Sequence, residues 1–173
     1  MIEASDKLYH IVLHSRENEV VCRSEQDYTT LENCIALAII NSKDILPGYS
    51  VMSTHAHTAI VSTDPRKSIK RIKLAYTRYF NSKYGRSGSL FEDDTYCEQV
   101  NGYLRQRMLL NYILRNPIHH GICETAFRYM HSSISAYFRH DNTDDCQDSG
   151  KVLLIRKGTK NERYPVDRHA AFR

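Results

Sequence analysis

The sequence predicts an α+β domain, an antiparallel sheet with helices packed on it. Three observations carry that expectation. Short runs rich in β-formers come in pairs joined by polar turns, and a run with helical periodicity follows each pair. The 173 residues are 41% apolar and 25% charged, which suits one globular domain with a sizeable core. No apolar run approaches the roughly 20 residues that span a bilayer. Met1 to Lys7 has no apolar signal core, so a cytoplasmic protein with no membrane partner is expected.

The elements follow in order. Leu8 to His14 reads as a strand, and Val20 to Cys22 as a second strand paired with it across Arg16-Glu17-Asn18. Ser24 is an N-cap with acidic Glu25 and Asp27 in the first turn; Leu31, Cys34, Ile35, Ala38 and Ile39 then recur at helical spacing. Ile45 to Met52 and His55 to Ser62 read as a hairpin, with a bend at Pro47-Gly48. Asp64-Pro65 opens a helix that Gly85 closes. Gly85 to Gly88 is a loop, and Ser89 to Val100 suits an extended arm. Gly102 to Arg115 reads as a helix stopped by Asn116-Pro117, and Cys123 to Phe138 as another. Asp141 to Gly150 has the composition of a linker, and Val152 to Ile155 of a short last strand. The expected division is a domain over 1–140 and an acidic linker with a short tail over 141–173.

Five scattered cysteines form no Cys-x-x-Cys pair, which argues against a disulfide framework or a zinc knuckle. The net charge of +4 leans modestly toward nucleic acid. Its distribution says more. From Arg66 to Arg86 there are eight basic residues and no acid, whereas Asp141 to Asp148 holds four aspartates and no base. Lys70, Arg71 and Lys73 are candidate phosphate contacts, as are Arg78, Lys83, Arg86 and Ser87; Tyr76, Tyr79 and Phe80 could stack bases if exposed. A solvated basic face over aromatic core positions explains the same pattern, and for Phe80 it is the better reading.

Alternate residues of a strand share a face, so His55 and His57 point the same way while Ala56 turns inward. Two imidazoles so placed can bind one divalent ion and leave positions for oxygen ligands. With nine histidines in the chain, one such pair also arises by chance. His119 and His120 are adjacent, so they should point apart as surface or backbone contacts.

Three segments carry a resemblance. Tyr49 to His57, ending in His55-Ala56-His57, resembles the His-hydrophobic-His motif of single-tyrosine HUH transposases. Tyr79 to Phe91 looks like a signature of one branch, the REP-associated tyrosine transposases, and Tyr112 to Gly121 looks like that branch's catalytic helix. Tyr9-His10-Ile11-Val12 and Ser132 to Tyr137 match weaker flanking patterns. The motifs stand in the family's order over about Tyr9 to Phe138.

The resemblance implies a ferredoxin-like sheet, the HUH endonuclease fold, with the histidines on a central strand. It implies Tyr112 as nucleophile and Asn116, one helical turn on, as third ligand beside His55 and His57 to Mg2+ or Mn2+. The implied reaction cuts and rejoins single-stranded DNA folded as a REP-like hairpin, through a 5′-phosphotyrosine. Such a protein would be bacterial-type and nucleoid-associated when on DNA. A free phenol titrates at about 10, so the nucleophile needs help; Arg115 and the basic helix are candidates. Two rivals are a domesticated, non-cutting hairpin-DNA-binding protein on the same fold and a metal-dependent hydrolase of small phosphates. Nothing in the sequence chooses between monomer and homodimer. The chain departs from the family pattern at Ser53-Thr54, at Thr58 and at the acidic triplet Glu92-Asp93-Asp94.

Overall fold

The computed structural model describes residues 6–137. The expected linker and last strand after Asp141 lie outside the described residues. Four strands, β1 (Lys7–His14), β2 (Ile45–Val51), β3 (His55–Ser62) and β4 (Tyr96–Gln99), form one antiparallel sheet in the order β2-β3-β1-β4. The helices are α1 (Glu25–Ser42), α2 (Pro65–Tyr84), α3 (Tyr103–His119) and a single turn, α4 (Ile134–Tyr137). The order β-α-β-β-α-β with this sheet is the ferredoxin-like arrangement, as expected.

Alternation along the central strands decides which helix covers which face. Ile11 and Leu13 of β1 and Ala56 and Ile60 of β3 bury against Leu31 and Ile35 of α1 and Ile72, Tyr76 and Phe80 of α2. Each side chain of that size contributes about 1.5–3 kcal/mol on full burial. Leu8 and Ala59 point the other way and meet Leu109 and Ile113 of α3. The sheet therefore separates α2 from α3. At Gly48, any side chain would meet Leu110 of α3 at 3.1 Å, so glycine lets α3 lie close to β2.

The end caps behave as the sequence implies. The Ser24 and Arg23 backbone N–H groups each donate to Asp27 Oδ2 at 2.9 Å. The Arg66 N–H donates to Asp64 Oδ1, Pro65 is the first residue of α2, and Gly85 ends it at φ +61.

Three expectations are corrected. Val20 to Cys22 is not a strand. Both edges of β1 are taken by β3 and β4, so the segment crosses the sheet end instead, with the Val21 and Cys22 N–H groups both donating to Ser53 O at 2.7 and 3.0 Å. Helix α3 does not stop at Asn116 but runs through Pro117 to His119. Proline's missing N–H costs one bond there, while His120, Gly121 and Ile122 donate back into the last turn. Cys123 to Tyr137 is not one helix. It holds a 3-10 turn at Ala126–Arg128 and α4, and between them the chain lies along β2, where Val51 N–H donates to His131 O and Ser133 N–H to Tyr49 O. Satisfying that sheet edge outweighs helix propensity. The extended arm expected at Ser89 to Val100 is present and supplies the edge strand β4.

Candidate active site

The β1–β3 register sets His14 opposite His55 and Val12 opposite His57, and the β1–β4 register sets His10 opposite Glu98. These side chains share the face that α3 covers. Four imidazoles gather there. His14 and His55 stack at 5.4 Å between ring centres, and His55 meets His57 edge-on at 5.1 Å. His10 Nε2 lies 3.1 Å from His57 Nδ1, and Thr54 Oγ1 lies 3.0 Å from His55 Nδ1.

Tyr112 reaches into this cluster from α3. Its ring stands edge-on to His57 at 5.5 Å and to His10 at 6.0 Å. Tyr112 is 44% exposed, while Asn116, one turn on, is 1% exposed beside His55. The spacing of four brings both to the same flank of the helix. A groove of about 890 Å3 opens over Tyr112 and the histidines, lined by His10, His55, His57, Tyr96, Arg105 and Tyr112 among others.

Burial governs the charge of the cluster. It pulls His57 down to about 3 and His55 down to about 4, and the neighbouring imidazoles push the same way. His10 is also lowered, by burial against the opposing charge of Glu98. Near neutral pH these rings are unprotonated and have lone pairs to offer. Neither amide atom of Asn116 has a hydrogen-bond partner among the described residues. A buried amide left bare costs the fold free energy, so it calls for a ligand. Among the described residues no three His, Cys, Asp or Glu side chains converge as a metal group. His55 and His57 could hold a divalent cation with the Asn116 carbonyl oxygen as third protein donor, and this donor set fits one.

The residues expected to touch DNA fall into two groups. Lys70, Arg71, Lys73, Arg78 and Lys83 stand on α2, across the sheet from Tyr112, with Arg86 and Ser87 in the loop after it. Several are engaged within the fold. Lys83 pairs with Asp27 at 2.6 Å, Arg86 with Glu19 at 2.9 Å, and Arg71 bonds Ser42. Lys73 donates to the carbonyl of Glu92 and, at 2.9 Å, to Thr95 Oγ1, while Arg16 pairs with Asp93. Of the acidic triplet, the Asp93 carboxylate is thereby paired with a cation of the fold, and none of the three residues lines the groove. Lys70 and Arg78 are exposed and have no ion pair among the described residues. Arg115 is half-buried on α3.

Sequence reasoning missed His10, His14, Arg105 and Glu98; His119 and His120 are exposed, as expected, but both also border the site. The His120 ring lies 5.1 Å from His55, and His119 stacks on Tyr112 at 6.1 Å. The even spacing of His10 and His14 within β1 was the available signal, since it puts both on one face. Thr58, a departure noted in the sequence, is fully buried, and its hydroxyl has no hydrogen-bond partner among the described residues.

No family model matches the chain, and no curated protein sequence does. Solved structures do. The structure of a REP-associated tyrosine transposase bound to a REP hairpin matches 87% of this chain and 93% of its own, with a TM-score of 0.65 at 15% identity. A proposed transposase from Deinococcus radiodurans R1 matches 66% of this chain and 90% of its own, with a TM-score of 0.48 at 15% identity. At that identity the first likeness shows a shared fold.

Proposed function

We propose that this protein cuts and rejoins single-stranded, hairpin-forming DNA through a covalent bond between Tyr112 and a 5′ phosphate. The observation that carries the reading is the meeting of an exposed Tyr112 with two neutral histidines in one groove, with the amide of Asn116 buried beside His55. The fold likeness supports it, because the solved protein of that fold holds a REP hairpin.

The chemistry is a phosphoryl transfer. Tyr112 Oη bonds to phosphorus while the bond from phosphorus to the 3′ oxygen breaks. The phenol proton leaves to water through the open groove, and the departing 3′ oxygen takes one up. The products are a 5′-phosphotyrosine on the downstream strand and a free 3′ hydroxyl upstream. A 3′ hydroxyl can then attack the phosphotyrosine, restore a phosphodiester and free the tyrosine. Mg2+ or Mn2+ on His55, His57 and Asn116 would draw charge from the phosphate's non-bridging oxygen. Arg105 in the groove and Arg115 on α3 offset the charge of the bound strand. Lys70 and Arg78 hold phosphates away from the reacting one.

The test is a denaturing gel of hairpin oligonucleotides, labelled at either end, after incubation with Mn2+. The proposal expects a covalent band with the strand 3′ of the cut, lost in Tyr112→Phe. Tight hairpin binding with no covalent band would favour the non-cutting binder. Turnover of small phosphates with neither would favour the hydrolase.

A further inference from the structure

A neutral imidazole carries one N–H and one lone pair, and which nitrogen has which is set by its hydrogen bonds. An exposed, unpartnered histidine samples both tautomers. The two histidines of this site are not in that position. His57 Nδ1 is occupied by His10 Nε2 at 3.1 Å, and His55 Nδ1 by Thr54 Oγ1 at 3.0 Å. Among the described residues, these bonds leave Nε2 of each ring free to face a ligand. The two contacts come from different places in the fold, a neighbouring strand and the β2–β3 turn, yet they leave the same atom free.

We infer that His10 and Thr54 are positioning residues, each tying down Nδ1 of one histidine so that both rings present Nε2 to a common ligand. The inference rests on the divalent-metal reading given above. With Nε2 as the lone-pair donor, Nδ1 of each ring bears the proton. His57 then donates to His10 Nε2, and His55 donates to the Thr54 hydroxyl oxygen. His10 accepts through Nε2, so its own proton sits on Nδ1. Glu98 lies directly across the β1–β4 ladder from His10 and faces the same groove. Tyr96 donates to the Glu98 carboxylate. Glu98 on β4, His10 on β1 and His57 on β3 thus follow one another across the sheet, the last two joined by a hydrogen bond. Such an outer shell fixes ring orientation and raises the basicity of the ligand. It also gives His10 a role beside a site it does not itself ligate.

Two readouts test this on the full chain. Long-range proton–nitrogen correlation spectra of the metal-free protein near neutral pH report each histidine's tautomer. The expected result is a single Nδ1–H form for His57 and for His55. In His10→Ala the His57 nitrogens move to the average of two tautomers, and in Thr54→Val the His55 nitrogens do so. His10→Gln, whose amide oxygen can accept the same bond, and Thr54→Ser keep the single form. Calorimetric titration with Mn2+ alone is the second readout. His10→Ala weakens binding by about 10-fold or more, and His10→Gln recovers most of it. Mixed tautomers in the native protein, or a His57 signal unmoved by His10→Ala in a folded variant, would overturn the inference. Native protein that binds no Mn2+ would overturn the metal reading, and the tautomer spectra would still decide the hydrogen-bond assignment.

Discussion

Both polar atoms of the Asn116 side chain are buried without a hydrogen-bond partner among the described residues, which costs the fold about 1–3 kcal/mol. A purely structural position would hold leucine. Asn116→Leu is accordingly expected to raise stability by about 1–3 kcal/mol in urea unfolding while abolishing Mn2+ binding by calorimetry. A variant that loses stability and keeps Mn2+ affinity would remove Asn116 from the site. His55 and His57 make a second prediction, in pH. Their native pKa values are pulled down to about 4 and about 3, chiefly by burial, against about 6.5 for an unfolded histidine. Between those values the unfolded chain binds more protons than the native one. Stability therefore rises with pH across that window and is lost as pH falls from about 6.5 toward the native values. His131 has the opposite sign, because Glu32 and Glu25 outweigh its burial and raise its pKa. The difference between native protein and His57→Gln isolates the effect. The native metal-free protein should lose more stability than the variant when acidified from about pH 7 to about pH 5, and parallel curves would contradict this. At this scale the sequence was partly legible. The pair His55 and His57 could be placed on one face by counting, but His10, His14 and Arg105 join the site only through strand register and helix docking.

Helices α1 and α2 are joined at one carboxylate. Asp27 is fully buried at the start of α1 and accepts hydrogen bonds from Lys83 at 2.6 Å, Tyr84 at 2.7 Å and Tyr79 at 2.8 Å, all near the end of α2. Burial alone would raise its pKa, yet these donors outweigh it and hold the carboxyl well below the usual range. Asp27→Asn, which leaves buried donors facing an amide, should cost about 3 kcal/mol in urea unfolding; a loss under about 1 kcal/mol would mean the network is weaker than its geometry. The outer face of α2 makes a separate prediction. Lys70 and Arg78 are exposed cations without ion pairs among the described residues, so replacing both with alanine should lower the salt slope of hairpin affinity by about 2, one per phosphate contact. An unchanged slope would move the DNA surface elsewhere. Elements with local punctuation were readable in advance. Pro65 and Gly85 bracket α2, and Ser24 with Asp27 opens α1. Elements decided by distant partners were not. Val20 to Cys22 has strand-like residues but no free strand beside it, and Tyr129 to Ser133 leaves helical form to bond the β2 edge.

Across the whole molecule, the sheet has two unlike faces. One is apolar and locked to α1 and α2; the other carries imidazoles under α3. The segregation of charge in the sequence suggested a DNA surface on α2, and the topology puts that surface behind the sheet from Tyr112. A bound hairpin touching both would have to pass around a sheet edge, which composition alone could not reveal. Fold class was legible because pairs of strand-like runs and helical runs alternate along the chain. The order β2-β3-β1-β4, which assembles the groove, is a long-range property. The central claim is that Tyr112 becomes covalently bound to the 5′ phosphate of a cut strand. The most direct measurement is tandem mass spectrometry of the protein after reaction with a hairpin oligonucleotide and Mn2+, followed by nuclease trimming and proteolysis. The account predicts a nucleotide 5′-phosphate on the peptide containing Tyr112 and on no other tyrosine. Cut DNA with a free 5′ phosphate and an unmodified Tyr112, or an adduct on a different residue, would contradict it.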